Sequence, residues 1–419
     1  MKKIVLLLLC LVPLSIQAQY ILKADRVFDG FEMHKDWVVV VEGERITYAG
    51  PTSKTRKLKG NYIKLPGTTL MPGIIEGHSH ILLHPYNEVS WNDQVLKESP
   101  AERAIRASVH VENSLMAGIT AMRDLGAEGA GYTDVYVKQS IAKGIIRGPR
   151  LMVAGPAIVA TGAYGPKGFH DGVQVPLGAE PTSGIEGIIT TARRQLGQGA
   201  DLIKVYADYR WHPGEASQAT FLQEELDVLV KTATSAGRWV VAHASTPEGM
   251  RRAVLAGVET IEHGDGGTRD IFELMKSKNV ALCPTLAAGD AITQYRGWKK
   301  GHEPEPERIQ QKRKSFQLAL EVGVPIVFGG DVGVFTHGEN YREMKLMVDY
   351  GMSPKDVLRT ATSGNAEILH FKDLGQVKAG FLADLIAVKG NPTADIKAMR
   401  EVSFVMLNGE LIKNQSIEE

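Results

Sequence analysis

The sequence predicts a (β/α)8 barrel accompanied by a small β-rich domain that is built from both ends of the chain. Apolar strand-like runs alternate with helix-like segments through the centre of the sequence, and this alternation is typical of a parallel sheet. The number of strand–helix units is that of a closed barrel. The two chain ends instead share short β-rich runs separated by polar turns.

Size and composition are those of an ordinary globular protein. The chain has 419 residues, of which 43% are hydrophobic and 23% charged, enough for one large domain and a smaller one. The formal net charge of +0 gives no indication of a nucleic-acid partner or an anionic membrane surface. We therefore expect a small-molecule partner, and the composition leaves a homo-oligomer open.

The N-terminus predicts export. Lys2 and Lys3 precede an apolar run over residues 4–14, and Ala18 is a suitable cleavage site, the pattern of a secretory signal peptide. We expect residues 1–18 to be removed and the mature protein to be secreted or periplasmic, without stable membrane insertion. An uncleaved anchor is the alternative, although the run is short for a membrane span. Cleavage leaves Cys283 as the remaining cysteine, which excludes an internal disulfide.

The composite β domain is predicted over residues 19–70 and 371–419. Val38-Val39-Val40-Val41 and Ile46-Thr47-Tyr48-Ala49 flank a polar, Gly-containing turn, as in a hairpin. Near the other end, Asn408-Gly409 is a strong hairpin turn. Since chain termini often lie close together, the two regions can share one sheet.

The barrel is predicted over residues 71–370. Its strands are expected to end near His80, Asp124, Thr161, Ala207, Ser245, Gly264, Leu286 and Asp331. Its helices are expected at residues 101–117, 185–197, 223–236, 248–256, 307–322, 342–350 and 355–363. A doubly wound open sheet is the competing fold, but no Gly-x-Gly-x-x-Gly follows the first strand, so a dinucleotide fold loses support.

Six polar residues lie at the predicted ends of barrel strands, where the active sites of such barrels sit. His78 and His80 are two apart, so on a strand they point to the same face. The full set is His78, His80, Lys204, His243, His263 and Asp331.

Taken singly, each residue has a structural interpretation. His243 could be a buried histidine with a satisfied hydrogen bond, and Asp331 could be a turn or helix-cap residue. Lys204 within an apolar strand is harder to explain, because a buried unpaired ammonium is costly. It needs a salt bridge, a lowered pKa or chemical modification.

This set resembles the amidohydrolase superfamily, which has His-x-His on strand one, lysine on strand four, histidines on strands five and six, and aspartate on strand eight. The resemblance covers nearly the whole mature chain and looks closest to the imidazolonepropionase-related branch, which includes prolidase-like dipeptidases and carboxypeptidases. Further likenesses are Pro72-Gly73-Ile74-Ile75, Gly118-Ile119-Thr120, Arg123-Asp124-Leu125-Gly126 and Gly380-Phe381-Leu382-Ala383-Asp384-Leu385.

The resemblance implies a centre with two divalent metal ions, with zinc as the expected metal. His78, His80 and Asp331 would hold one ion, and His243 and His263 the other. Lys204, carboxylated by carbon dioxide to a carbamate, would bridge them. A metal-bridging hydroxide would attack an amide carbonyl, and Asp331 would act as the catalytic general base and then acid.

Substrate residues are predicted in the loops around this centre. Tyr206 shares a strand face with Lys204, Tyr164 stands where related peptidases often carry the histidine of Thr-Gly-Gly-His-Gly, and His337 follows Asp331 on the last long loop. Related peptidases often have a Ser-Gly-Gly turn after the strand-four lysine, whereas this chain has Ala207-Asp208-Tyr209-Arg210-Trp211. Specificity is expected to rest on loops near residues 86, 164–171, 209–215 and 290–298.

These observations lead to the hypothesis of a secreted or periplasmic binuclear amidohydrolase that cleaves a peptide-like amide bond of a dipeptide or N-acyl amino acid. A mononuclear imidazolonepropionase-like cyclic amide hydrolase or deaminase is the alternative, although such enzymes usually replace the strand-four lysine. A lactonase, a phosphotriesterase and a non-catalytic binding protein remain further readings.

Overall fold

The structure is a computed structural model that describes residues 19–54 and 59–415. The predicted signal peptide lies outside the described residues. The strands are β1 Gln19–Phe28, β2 Met33–Lys35, β3 Trp37–Glu42, β4 Arg45–Pro51, β5 Asn61–Pro72, β6 Ile74–Ser79, β7 Ile119–Asp124, β8 Arg150–Val153, β9 Ile158–Ala160, β10 Glu180–Thr182, β11 Ile203–Tyr206, β12 Asp208–Tyr209, β13 Gln218–Ala219, β14 Val240–Ala244, β15 Thr260–His263, β16 Ala281–Cys283, β17 Leu385–Lys389, β18 Val402–Leu407 and β19 Glu410–Asn414. The α-helices are α1 Trp91–Lys97, α2 Pro100–Met116, α3 Thr133–Ala142, α4 Gly184–Gly197, α5 Gln223–Ser235, α6 Pro247–Ala256, α7 Arg269–Ser277, α8 Leu286–Tyr295, α9 Glu307–Val322, α10 Tyr341–Asp349, α11 Pro354–Arg359 and α12 Asn365–Ile368.

Strands from both ends of the described chain form one mixed sheet, in the order β19-β18-β17-β5-β1-β3-β4, with β2 paired to β1. The strand β5 is parallel to β1 and antiparallel to β17, so it joins the N-terminal strands to the C-terminal ones. Both predicted hairpins are present, β3 with β4 and β18 with β19. At the second turn, Asn408 and Gly409 have φ of 53° and 72°, the left-handed conformation that a tight two-residue hairpin turn needs.

The central strands form two parallel sheets. One has the order β6-β7-β8 and the other the order β10-β9-β11-β14-β15-β16. Their interior is apolar: Val205, Ala242 and Ile261, on three adjacent strands, are all fully buried. Strands buried on both faces in this way are expected where helices cover a parallel sheet.

Residues 325–332 lie between the two parallel sheets, where the sequence predicts a strand ending near Asp331. This segment makes single parallel bridges from Ile326 to Leu282 and from Val332 to Ser79, and is not a continuous strand. The backbone N–H of Asp331 donates to His78 O at 2.9 Å. At Gly329, a Cβ would lie 2.7 Å from the backbone nitrogen of His78, so the close approach of the two segments requires glycine there.

The helices pack their apolar faces on these strands. Helix α2 begins with Ser99, whose hydroxyl accepts from the Glu102 N–H at 3.2 Å, and with Pro100 in its first turn, a favourable start. Its residues Ala107, Val111 and Leu115 are buried and recur every four positions on one face. Within the described residues, no helix combines the length and apolar character needed to cross a membrane.

Two local predictions were wrong. The seventh strand ends at Cys283 rather than near Leu286, because Pro284 has no N–H for the ladder and Thr285 adopts φ 47°. Residues 290–298 were expected to be a loop, but α8 covers Leu286–Tyr295. The buried carboxylate of Glu343 accepts from the N–H groups of Leu286 and Ala287 at 3.0 and 2.6 Å, which stabilises the start of this helix.

Candidate metal centre

The six strand-end residues predicted as metal ligands converge in the structure. The ring centroids of His78 lie 5.4 Å from His80 and 5.2 Å from His263, and His263 lies 4.5 Å from His243. Asp331 Oδ1 is 3.6 Å from His78 Nε2 and 3.3 Å from His80 Nε2. One ligand atom each of His78, His263 and Asp331 all lie within 4.8 Å of one another. This trio could therefore hold a metal ion, and His80 and His243 lie next to it.

Hydrogen bonds fix how three of the imidazoles are oriented. His78 Nδ1 donates to Glu262 Oε2 at 2.7 Å, and His80 Nδ1 donates to Gly126 O at 3.0 Å. His263 Nδ1 lies 2.7 Å from the hydroxyl of Thr285. Because carboxylate and carbonyl oxygens can only accept, Nδ1 of His78 and His80 carries the proton and Nε2 carries the lone pair. Outer partners of this kind orient metal-ligating histidines.

His243 is held differently. Its Nε2 lies 3.6 Å from Asp208 Oδ1, so Nδ1 is the ring nitrogen that has no such carboxylate neighbour. Asp208 is fully buried and accepts hydrogen bonds from the backbone N–H groups of Ser245 and Thr246 at 2.8 and 2.7 Å. It thereby joins the end of β14 to the start of α6 and supports the position of His243.

Burial keeps the imidazoles neutral. Desolvation lowers the pKa of His78, His243 and His263 well below the usual value. The pKa of His80 is also lowered, mainly by burial. Neutral imidazole is the form that binds a metal ion, so the site needs no deprotonation of these residues at neutral pH.

Lys204 is the residue whose environment is least ordinary. Its side chain is 1% exposed, and among the described residues it forms neither a hydrogen bond nor an ion pair. Burial lowers its pKa, and the nearby Arg123 charge adds to this, while Glu262 and Asp331 act in the opposite direction. A buried ammonium without a close partner is unfavourable, which favours the neutral amine.

The donor set fits a metal ion. His78 Nε2 and Asp331 Oδ1 are both buried and neither has a hydrogen-bond partner in the described part of the chain, although they face each other. Burial raises the pKa of Asp331, and a bound divalent cation would favour its ionised form. A second group of possible metal ligands consists of His78, Glu262 and Cys283. It is less suited to a metal ion, because Glu262 already accepts hydrogen bonds from His78 and Arg123.

Four residues around the centre have strained backbones. His263, Thr285 and Asp331 have φ of 76°, 47° and 63°, and Glu128 has 46°. Such conformations are uncommon outside glycine, and for the β-branched Thr285 especially so. Each strained backbone conformation costs on the order of 1–3 kcal/mol, and such residues cluster at functional sites. The rest of the fold must therefore hold these residues in place.

Glu262 is a positioning residue that was not singled out from the sequence. It is fully buried, and its Oε1 accepts from Arg123 Nη2 at 2.9 Å and also from Thr260 Oγ1. Its other oxygen holds His78. The signal in the sequence was a pair of opposite charges, Arg123 and Glu262, each inside an apolar strand, since buried charges need partners.

We expect Glu262→Gln to weaken metal binding about 10- to 100-fold, the usual effect of losing such an outer partner. It should also lower the free energy of unfolding by about 3–5 kcal/mol, because the buried Arg123 loses its closest carboxylate and keeps only the more distant Glu259, 3.9 Å away. Metal titration and denaturant unfolding measure the two effects. Glu248→Gln, which changes an exposed carboxylate paired with Arg251 and Arg252, is the matched control. Unchanged metal affinity in Glu262→Gln would contradict this role.

The predicted substrate residues Tyr164 and Tyr206 lie together beside His243. The Tyr206 ring stacks on His243 with centroids 4.4 Å apart, and Tyr164 packs on Tyr206 at 4.7 Å. Tyr164 Oη donates to Glu128 Oε2 at 3.1 Å, and Trp91 Nε1 donates to the same oxygen at 2.8 Å. Glu128 was not singled out from the sequence; burial raises its pKa, and its other oxygen lies 3.7 Å from His80 Nδ1.

His337 lies behind the loop that follows His80. Its ring stacks on His110 with centroids 4.3 Å apart, and its Nε2 donates to Leu83 O at 3.0 Å. These contacts connect it to the loop after His80, and a backbone hydrogen bond with His80 itself partly opposes the lowering of its pKa by burial. Its role as a substrate residue stays a prediction.

Comparisons with known proteins agree on one family. The sequence pattern of the Amidohydrolase family matches residues 69–412. The chain is 29% identical to ochratoxinase from Aspergillus niger, over 83% of this chain and 76% of that protein, and 23% identical to imidazolonepropionase from Streptomyces coelicolor, over 84% and 85%. It superposes on the crystal structure of a Xaa-Pro dipeptidase with bound methionine in the active site with a TM-score of 0.81, at 29% identity, covering 95% of this chain and all of that one.

Proposed function

Because this chain belongs to the amidohydrolase family, as its strand-end residues predicted, it is a hydrolase of carbon–nitrogen bonds, and we propose that it cleaves a peptide-like amide in a small substrate such as a dipeptide or an N-acyl amino acid. The observation that carries the proposal is the pair of buried, partnerless ligand atoms, His78 Nε2 and Asp331 Oδ1, facing each other at the strand ends. The dipeptidase likeness supports an amide substrate.

The proposed centre has two divalent metal ions, with zinc expected. His78, His80 and Asp331 would hold one, and His243 and His263 the other. Lys204, as a carbamate, would serve both. Two features support the modification: the neutral amine is the form that reacts with carbon dioxide, and the product replaces an unfavourable buried cation with an anion that has two oxygen ligands. A mononuclear cyclic amide hydrolase remains the alternative, and it leaves the buried Lys204 without a role.

The metal ions and the protein side chains would each supply part of the chemistry. Bound divalent ions would supply Lewis-acid polarisation of the carbonyl and lower the pKa of the attacking water. Asp331 would take the proton from that water and return it to the leaving nitrogen. Tyr206 and Tyr164 would form the apolar wall against which the substrate packs. His78, His80 and His263 would keep their orientation through their contacts with Glu262, Gly126 O and Thr285.

Three further features are part of the proposal. The bridges from residues 325–332 to β6 and β16 support a closed eight-stranded barrel as the scaffold. Residues 1–18 would direct the protein to the periplasm or outside the cell. The partner is a small molecule, and homo-oligomerisation is left open. N-terminal sequencing of protein recovered from the periplasm tests the export step, because the first residue shows whether residues 1–18 were removed.

A substrate screen tests the function directly. The purified protein should hydrolyse members of a library of dipeptides and N-acyl amino acids, and should act less well on a lactone and an organophosphate included as controls. Release of free amine measures turnover. Activity on the lactone or the organophosphate alone would contradict amide hydrolysis but would remain consistent with the proposed metal centre.

A further inference from the structure

A small pocket lies beside the aromatic cluster, which is formed by the rings of Trp91, Tyr164, Tyr206 and Tyr209. Its volume is about 270 Å³, and its lining includes Trp91, Lys167, Tyr209 and Arg210, with Gly165 and Gly214. The ring of Tyr209 belongs to both the pocket and the cluster, since its centroid lies 4.8 Å from Tyr164 and 6.2 Å from His243. About one aromatic ring therefore separates the pocket from the metal centre.

The charges in this pocket are unbalanced. Lys167 and Arg210 are both cationic, and no acidic side chain lines the pocket within the described residues. The Arg210 guanidinium lies over the Tyr209 ring, 5.2 Å from its centroid, and has neither a hydrogen bond nor an ion pair in the described ranges. Lys167 Nζ donates to Gly162 O at 3.0 Å. Both cations thus keep donors free for a ligand.

The two positive charges also act on each other. Burial lowers the pKa of Lys167, and the charge of Arg210 lowers it further, while Glu215 acts in the opposite direction. The Glu215 carboxylate itself accepts from the backbone N–H of His212 at 3.1 Å. An anion bound between Lys167 and Arg210 would relieve this repulsion and would gain charge-assisted hydrogen bonds.

We propose that this pocket binds a carboxylate of the substrate between Lys167 and Arg210, with the adjoining hydrophobic part of the substrate against Trp91 and Tyr209. The inference rests on the proposed function, because it names a part of the substrate of that site. Arg210 comes from the loop after the strand-four lysine, where this chain departs from the Ser-Gly-Gly turn of related peptidases. The pocket is accordingly a specificity feature of this chain.

The test uses two probes that have no hydrolysable bond, 3-phenylpropionate and 3-phenylpropan-1-ol. Calorimetry on the purified, metal-loaded protein should show the acid binding about tenfold more tightly than the alcohol, the effect of one charged hydrogen-bonding site. In Lys167→Met/Arg210→Met this preference should fall about tenfold. Arg193→Met/Lys314→Met, which changes two exposed cations elsewhere, is the control and should keep it. The acid's affinity should also weaken as salt is raised.

The outcomes separate the pocket from other carboxylate sites. If the acid binds equally well to the pocket variant and the wild type, the metal centre or another surface holds it and the proposal is overturned. If the control variant loses as much affinity as the pocket variant, the effect is general surface charge and the proposal also fails. Because neither probe is cleaved, the result does not depend on whether the enzyme hydrolyses amides.

Discussion

Replacing Lys204 with alanine is expected to lower the metal content of the purified protein and to reduce kcat/KM by at least about a thousandfold, roughly 4 kcal/mol of transition-state stabilisation. The reason is that the residue would supply the ligand shared by both metal ions. Elemental analysis by mass spectrometry and initial rates on the best substrate of the screen measure the two effects.

The same variant distinguishes loss of function from loss of fold. Lys204 is buried without an ion pair, so its replacement costs only the packing of its buried methylenes, and the metal-free variant should still unfold cooperatively in urea. Acetate or propionate should restore part of the metal content and activity, because a small carboxylate fits the space left by the side chain. Lys314→Ala, at an exposed position, is the control. Wild-type metal content in Lys204→Ala would contradict the shared-ligand role.

Asp331→Asn should reduce kcat by about 10²- to 10⁴-fold, the range for loss of a positioned general base and acid. The amide keeps an oxygen near His78 and His80 but cannot accept the proton from water at neutral pH. Rates on a fixed substrate, compared with metal content, show whether turnover falls more than metal binding does.

Asp349→Asn is the matched control for this change, because that aspartate is exposed and paired with Lys345 on a distant helix. A stable, metal-loaded Asp331→Asn variant with near wild-type turnover would show that another group moves the proton. Glu128, which lies 3.7 Å from His80, would then be the next residue to change.

The sequence predicted the elements that local pattern determines. The strand ends predicted at Asp124 and near His80 and Gly264 agree with the structure within about one residue, since each follows a short apolar run bounded by polar residues. Helix 307–322 was predicted with the observed bounds. The errors occurred where backbone geometry overrides pattern, as at Pro284-Thr285, which ends the seventh strand early and lets α8 begin.

The six residues of the candidate centre could be found because each is a polar side chain within or directly after an apolar, strand-like run of the sequence. Their outer partners could not be found in this way. Gly126 O is a backbone atom, and Thr285 holds His263 only through a left-handed backbone conformation. Asp208 was assigned to the loop after the strand-four lysine, yet it is fully buried against the start of α6. Such pairings depend on long-range packing, which spacing along one chain does not encode.

The central claim is that six side chains from five separate segments of the chain hold a pair of divalent ions. Counting metal per protein chain tests it most directly, by mass spectrometry on protein purified without chelator and reloaded with zinc. We expect about two equivalents, one for each ligand group of a two-metal site. A saturating value of one would support the mononuclear alternative, and a chain that binds none would contradict the account.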